Sequence, residues 1–256
     1  MSFTVRNLDI YLGRSQILHD LSFSLPSRGV TGIIGANGCG KSTLLRGLAG
    51  VLPAQSGNIL YEGEEVTSMS PRIRARRIAL LPQSGLAPPG LTVRQLVTRG
   101  RTPWLRPFLP MTPSDQAAVE QAMRAVGLTD LSARSVDSLS GGERQRAWIA
   151  LVLAQESGIV LLDEPLNFLD LPFQAELVKL LRGLRQTCRI VIILHDLTVA
   201  ARLCDHVLAL KSGRLVASGP PSEVLTRDLL SATFGVDFDV QDLPGTGKRV
   251  VLPESF

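Results

Sequence analysis

"GIIGANGCGKSTLL", residues 32–45, decides the fold. An apolar segment runs into glycines, then a lysine and two hydroxyl residues, then a helical pattern. Its centre, "GANGCGKST" from Gly35 to Thr43, fits G-x-x-x-x-G-K-[ST] after a strand and at the start of a helix, the setting that gives the pattern meaning. Gly35, Gly38 and Gly40 let backbone N–H groups close around phosphates, with Asn37 and Cys39 in the same loop. Lys41 sets a point charge on the β- and γ-phosphates, Ser42 offers magnesium a hydroxyl, and Thr43 completes the motif.

Outward from this loop, three more apolar runs end at a conspicuous polar residue. "IALLP" (78–82) leads into Gln83, "IVLL" (159–162) into Asp163, and "IVIIL" (190–194) into His195. Short runs of Ile, Val and Leu without polar alternation read as buried strands of a mainly parallel sheet. Such sheets bind ligands outside the carboxyl ends of their strands, so Gly, Gln, Asp and His are expected to converge on one crevice. The intervening pattern "QAELVKLLRGLRQ" (174–186) carries an apolar helical stripe of Leu177, Val178, Leu180, Leu181 and Leu184.

The residues at these strand ends suggest chemistry. Asp163 is expected to hold magnesium, usually through a water. Glu164 beside it is placed to take a proton from an attacking water, a contribution of ~10²–10⁴-fold in rate. His195 is expected to meet the γ-phosphate. Gln83 has a neutral amide that can bind magnesium or water through its oxygen.

Bulk properties set the class. The chain has 256 residues, 45% hydrophobic and 20% charged, which is ordinary for a folded globular protein and argues against disorder. No apolar run reaches the ~18 residues of a membrane span, and the start lacks a signal-peptide pattern. Cytoplasmic residence is therefore expected. Cys39, Cys188 and Cys204 make no metal-type spacing and fit reduced thiols. The densest basic cluster, "PRIRARR" (71–77), reads either as a solvated helix face or as a polyanion contact. No aromatic interleaves with its arginines, which gives nucleic-acid stacking little support.

Between Ser84 and Pro113 the chain is broken by prolines around a short helical pattern, "TVRQLVTRG". A cleaner helix follows, with Thr112 as N-cap, Pro113 at its first position and Gly127 as its stop. Then comes "LSGGERQR", Leu139 to Arg146. Ser140 and Glu143 form a capping-box pattern ahead of an apolar run. Gly141 and Gly142 are not explained by it, since glycine in a first helical turn costs stability. They leave a helix start bare for an anion, a second one in a chain that already has a phosphate loop.

In this order and at these spacings, the phosphate loop, Gln83, "LSGGE", "IVLLDEP" and "ILHD" resemble the nucleotide-binding domains of ATP-binding-cassette (ABC) transporters, over nearly the whole chain. The resemblance implies an α/β fold: a P-loop NTPase with a mainly parallel core sheet, an N-terminal antiparallel β portion and an inserted helical subdomain. The expected divisions are a core of about 1–83 and 157–219, a helical subdomain of about 84–156, and a C-terminal extension of about 220–256. It implies an ATPase that uses ATP and Mg2+, with Tyr11 stacking on adenine. It also implies head-to-tail pairing of two copies. Ser140, Gly141 and Gly142 then serve the partner's γ-phosphate, and Asp170, in "LNFLD", touches the opposite subunit.

A narrower similarity comes from "RRIALLPQ", "LTVRQLVTRGRTPW" and "SVDSLSGGERQRAWIALVLAQ". These look like the ATPase subunits of bacterial importers for ferric siderophores, haem and cobalamin, and within that group most like the ferric-siderophore members. The implied place is peripheral, on the cytoplasmic face of the cell membrane. A polytopic permease would dock near 84–107, with a substrate-binding protein as an indirect partner and no nucleic acid. The alternatives are a haem or cobalamin importer ATPase, or a non-transport cassette in cofactor assembly; an exporter subunit is opposed only by the middle segment. Two residues depart from the family's pattern. Leu166 stands where threonine or serine is usual, followed by "NFLD", and Cys39 stands where alanine or serine is commoner.

Overall fold

The computed structural model describes residues 3–254 except 84, 86, 107, 168 and 244–247. Contacts divide them into two compact units, Met1–Met69 with Arg185–Phe256, and Ser70–Leu184.

The first unit begins with two long strands, β1 (Phe3–Leu12) and β2 (Ser15–Leu25), joined by a tight turn and paired antiparallel. Next come β3 (Gly29–Ile34), α1 (Lys41–Leu48), β4 (Ser56–Tyr61) and the short β5 (Glu64–Glu65). β4 pairs antiparallel with β1 and with β5, giving the sheet order β2-β1-β4-β5. This is the expected N-terminal antiparallel portion. Leu44, Leu45 and Leu48 of α1 are fully buried, each contributing about 1.5–3 kcal/mol of burial.

The second unit opens with α2 (Pro71–Arg77), capped by Ser70, and runs into β6 (Ile78–Leu81). A helical stretch follows: α3 (Val93–Thr98), α4 (Pro113–Ala125) and α5 (Gly141–Ala154). Each of the three opens with a capping box: Thr92 with Gln95, Thr112 with Asp115, and Ser140 with Glu143. α3 and α4 both pack on α5. β7 (Ile159–Leu162) then pairs in parallel with β6, and α6 (Leu171–Leu184) closes the unit. On α6 the expected stripe buries only Leu177 and Leu181; Val178, Leu180 and Leu184 stay half-buried.

Two arginines of the run on α2, which buries none of its residues, are tied by carbonyl bonds to the chain after residues 99–101. Arg72 donates to the Pro103 carbonyl at 2.9 Å and to the Leu105 carbonyl, and Arg76 also donates to Pro103 at 2.9 Å. The guanidinium of Arg76 lies 4.7 Å from the Trp104 ring centroid and that of Arg101 lies 5.3 Å from it. Arg101 is buried, and it bonds Asp115 at 3.0 Å, Glu156 at 2.7 Å and the Ala154 carbonyl at 2.8 Å. A buried cation persists when it is paired and hydrogen-bonded, and here it ties α4 and the end of α5 together.

The remaining elements complete the first unit: β8 (Arg189–Ile193), α7 (Leu197–Leu203), β9 (His206–Lys211), β10 (Arg214–Gly219), α8 (Pro221–Val224), α9 (Arg227–Phe234), β11 (Phe238–Leu243) and β12 (Lys248–Pro253). β3 pairs in parallel with β8 on one side and β9 on the other, and β10 adds antiparallel to β9. β8 is buried along its length, as its unalternated sequence demands. The C-terminal hairpin of β11 and β12 lies on α7, where the Thr198 hydroxyl donates to the Val251 carbonyl at 3.2 Å and accepts from the Val251 amide at 3.1 Å.

Candidate nucleotide-binding and hydrolytic site

In the first unit, Gly35 follows β3 in a conformation with φ +148°. A Cβ there would lie 2.2 Å from the Leu210 carbonyl oxygen, so only glycine fits. Ala36, Asn37 and Gly38 are exposed at the loop's tip, and a Cβ on Gly38 would meet nothing within 4 Å. An open depression of about 550 Å³ lies beside the tip, lined by residues 36–39, Lys211, Ser212 and Thr233 to Gly235. Gly40, with φ +104°, begins α1 without a side-chain cap, and α1 has no acidic residue in its first turn. Its first amides and the positive end of its dipole are therefore left for an anion. The buried Lys41 ammonium donates to the carbonyls of Gly35 at 2.8 Å and Ala36 at 3.0 Å, which hold its charge at the base of the loop. Ser42 and Thr43 are half-buried in the first turn of α1.

Cys39 is buried, and its Sγ would lie 2.7 Å from a Cβ placed on Gly35, so the thiol packs behind the loop. Burial pushes that thiol up, against the opposing pull of Lys41. Only the backbone of Cys39 takes part in the turn, its amide donating to Ala36 at 3.3 Å.

Tyr11 sits near the end of β1 and is 40% exposed. Its hydroxyl donates to Gln16 Oε1 at 2.9 Å, and the Gln16 amide donates in turn to Asp9 at 2.8 Å and to the Leu18 carbonyl at 3.2 Å. The ring is thus anchored at its polar end. Leu18 is also the side chain nearest a Cβ on Gly40, so β2, which carries Gln16 opposite Tyr11 of β1, borders the phosphate loop. His195 is exposed two residues beyond Ile193, just as Gly35 lies two beyond Ile33. Ile33 and Ile193 are register partners in parallel strands, so Gly35 and His195 leave the sheet at one edge. Asp196 then caps α7, accepting the Val199 amide at 2.9 Å.

In the second unit, the parallel pair β6 and β7 brings Gln83 and the Asp163–Glu164 pair to one end. The Asp163 amide still bonds the Leu81 carbonyl at 3.0 Å, and Asp163 is 1% exposed. Glu164 has φ +52°, a left-handed conformation that costs a non-glycine residue about 1–3 kcal/mol. Its carboxylate accepts two amides on the same oxygen, from Gln83 at 2.8 Å and from Asn167 at 2.6 Å. Asp170 caps α6, accepting the Phe173 amide at 3.2 Å on its side chain and the Gln174 amide at 2.9 Å on its carbonyl.

The start of α5 lies in the same unit. The Ser140 hydroxyl accepts the Glu143 amide at 3.3 Å, and the Glu143 carboxylate accepts the Ser140 amide at 2.8 Å. Those bonds, the backbone one first, hold Glu143 below the usual carboxylate range. Neither Gly141 nor Gly142 has a positive φ. A Cβ on Gly141 would meet nothing within 4 Å, and one on Gly142 only Leu169 at 3.7 Å and Phe173 at 4.0 Å. The local fold needs glycine at neither position. α5 is also tied to the loop after Glu164: Gln145 donates to the Pro165 carbonyl at 3.3 Å, and the Arg146 guanidinium covers the Phe173 ring at 4.0 Å.

Sequence reading singled out the phosphate-loop residues, Tyr11, Gln83, Ser140 to Gly142, Asp163, Glu164, Asp170 and His195, but not their neighbours Asn167, Gln145 and Gln16. Asn167 drew notice only as part of an unusual "NFLD", of which residue 168 lies outside the described residues. The signal available was an amide three residues after the candidate base, spaced to close a turn.

The profile of the ABC transporter family matches residues 18–167, more than half of the sequence. The chain belongs to the ABC transporter family. It is accordingly an ATP-binding chain and an ATPase. This ABC protein is 42% identical over 248 residues to the ferric enterobactin transport ATP-binding protein FepC of Escherichia coli (strain K12), covering 96% of this chain and 92% of that one. It is 40% identical over 239 residues to the hemin import ATP-binding protein HmuV of Nocardia farcinica (strain IFM 10152), covering 93% and 82%. A metal-chelate-type ABC transporter solved in an inward-facing conformation superposes with a TM-score of 0.84 at 28% identity, covering 98% of this chain and 97% of that chain. The P-loop NTPase fold expected from the sequence is the fold found.

Among the described residues of this ABC protein, no helix is long and apolar enough to cross a membrane. Among the described residues, no group of three or more His, Cys, Asp or Glu could hold a metal by itself. Magnesium is commonly held by one or two carboxylates together with substrate phosphates. The buried carboxylate of Asp163 is, taken by itself, a donor of that type.

Proposed function

We propose that this ABC protein is the ATP-hydrolysing subunit of an importer for iron complexes, chiefly ferric siderophores, and that it works as a head-to-tail pair. The observation that carries the pairing is the bare start of α5. Two glycines stand at a helix N-terminus where neither backbone angle nor crowding asks for them, while the chain's own phosphate loop is complete. A second copy is the natural owner of the phosphate that Ser140, Gly141 and Gly142 would meet.

Each residue then has a role. Amides of Gly35 to Lys41 and the Lys41 ammonium hold the phosphates, with Asn37, Cys39 and Thr43 in the same turn. Tyr11 stacks on adenine. Ser42, Asp163 and Gln83 hold magnesium, directly or through water, and the ion would offset phosphate charge. Glu164 takes the proton as water attacks the γ-phosphorus and the bond to the bridging oxygen of ADP breaks. His195 steadies the γ-phosphate, and Asp170 meets the other copy.

The site on the membrane is peripheral and cytoplasmic. A permease docks near 84–107, of which 84, 86 and 107 lie outside the described residues. Phe108 and Leu109, an exposed apolar pair just beyond, support a partner surface there. A binding protein would deliver the cargo to that permease. Iron-siderophore cargo is supported by the "RRIALLPQ" and "LTVRQLVTRGRTPW" segments and by the 42% identity with FepC.

The test is uptake of a radiolabelled ferric siderophore by cells lacking this chain. The wild-type chain restores uptake and Lys41→Ala does not. Intact siderophore uptake with lost haemin or cobalamin uptake would reassign the cargo, and loss of none would end the importer reading.

A further inference from the structure

The residues after Glu164 form a turn built to hold that side chain. The Asn167 amide nitrogen donates to the Glu164 carbonyl at 3.2 Å, closing Glu164-Pro165-Leu166-Asn167, with proline at the position that favours a turn. This turn is braced from both sides. Gln145 of α5 donates to the Pro165 carbonyl at 3.3 Å, and Gln174 of α6 donates to the carbonyls of Leu166 at 3.3 Å and Leu169 at 3.0 Å. Leu166, which departs from the family's usual hydroxyl residue, is buried. The result is that the Asn167 side chain is presented, at 2.6 Å, to Oε2 of a carboxylate whose own backbone is in a strained left-handed conformation. Gln83 reaches the same oxygen from the opposite end of the unit's sequence.

We propose that Asn167 is a positioning residue for hydrolysis: its amide, with that of Gln83, fixes the rotation of the Glu164 carboxylate. The proposal rests on Glu164 being the base. Two donors on one oxygen hold the plane of the carboxyl group and keep the loop's backbone bond and side-chain bond in one rigid ring. A base displaced by about 1 Å loses up to ~10²-fold in rate, so the hold matters more than its own bond strength. The amide does not meet ATP, so binding should be indifferent to it.

The experiment compares Asn167→Ala and the isosteric, donor-free Asn167→Leu with wild type, using the full-length chain in steady-state hydrolysis at saturating ATP. Expected is a roughly tenfold fall in kcat for both, unchanged ATP affinity, and an unchanged thermal melting point within a few degrees. Glu164→Gln is run alongside, and Asn167→Ala is repeated in that background. There it should change the residual rate by less than about twofold, because it acts through Glu164. A wild-type kcat in both Asn167 variants overturns the proposal, as does an equal loss in the Glu164→Gln background. Wild-type turnover of Glu164→Gln itself would instead remove the reading of Glu164 as base.

Discussion

Gln83 and Glu164, 81 residues apart in sequence, meet side chain to side chain, the Gln83 amide donating to the Glu164 carboxylate at 2.8 Å. One residue follows β6 and the other follows β7, so the parallel pairing of these two strands creates the contact. Gln83 also precedes the helical stretch and the segment proposed to meet a membrane partner, so a displacement that moved Gln83 would change a hydrogen bond to the candidate base.

Glu164→Gln should retain ATP binding and lose ~10²–10⁴-fold in turnover, because the amide fits the same hydrogen bonds but cannot accept the proton. Turnover and ATP affinity measured on the same preparation check this, and sedimentation with ATP should show the pair persisting. Activity near wild type would remove Glu164 from the chemistry.

Gly141→Ala separates stability from function. No atom obstructs the new Cβ, and alanine is the better helix former, so stability should be unchanged or raised by about 0.5 kcal/mol. Hydrolysis should fall sharply, because the methyl group intrudes on the bare helix start. A stable, fully active variant would leave the glycines without a purpose.

Cys39 should react slowly with a bulky maleimide at neutral pH and faster as pH rises, since burial holds the thiol in its neutral form. Once modified, the loop should no longer hydrolyse ATP, and bound ATP should protect it. Complete labelling with full activity would misplace this side chain.

The second unit has a built-in acid sensitivity. Asp115 is held below the usual carboxylate range, first by the Thr112 hydroxyl and further by Arg101. A carboxylate with a lowered folded value contributes stability that is complete above about pH 4 and is lost as pH falls through the folded value. Asp115→Asn should therefore cost about 1–3 kcal/mol at neutral pH, where it removes the charge that pairs with buried Arg101, and much less in acid. Denaturant melts of both proteins at neutral and acid pH test this; a gap that did not narrow in acid would contradict it.

Much of this architecture was legible in the sequence because it depends on local rules. The runs ending at Gly35, Gln83, Asp163 and His195 are strands with buried, unalternated residues. The N-cap at Thr112 and the capping box at Ser140 are visible as patterns because their partners lie within one turn. What was not legible depends on contacts far apart in the chain. The fate of Arg72 and Arg76 was hidden, because their carbonyl partners on Pro103 and Leu105 are neighbours only after folding. Asn167 was hidden for another reason: spacing gave it reach to Glu164, but only the left-handed backbone of Glu164 turns the two side chains together.

The central claim is that each ATP is served by two copies, the phosphate loop of one and the α5 start of the other. Ser140→Arg spoils only the second and Lys41→Ala only the first, so each variant alone should be inactive, with circular dichroism confirming that both are folded. The deciding measurement is ATPase activity of the two inactive variants mixed in equal amounts. The account predicts that activity returns on mixing, since a mixed pair contains one intact combination of Lys41 and Ser140. Activity in Ser140→Arg alone, or a mixture as inactive as its components, would contradict it.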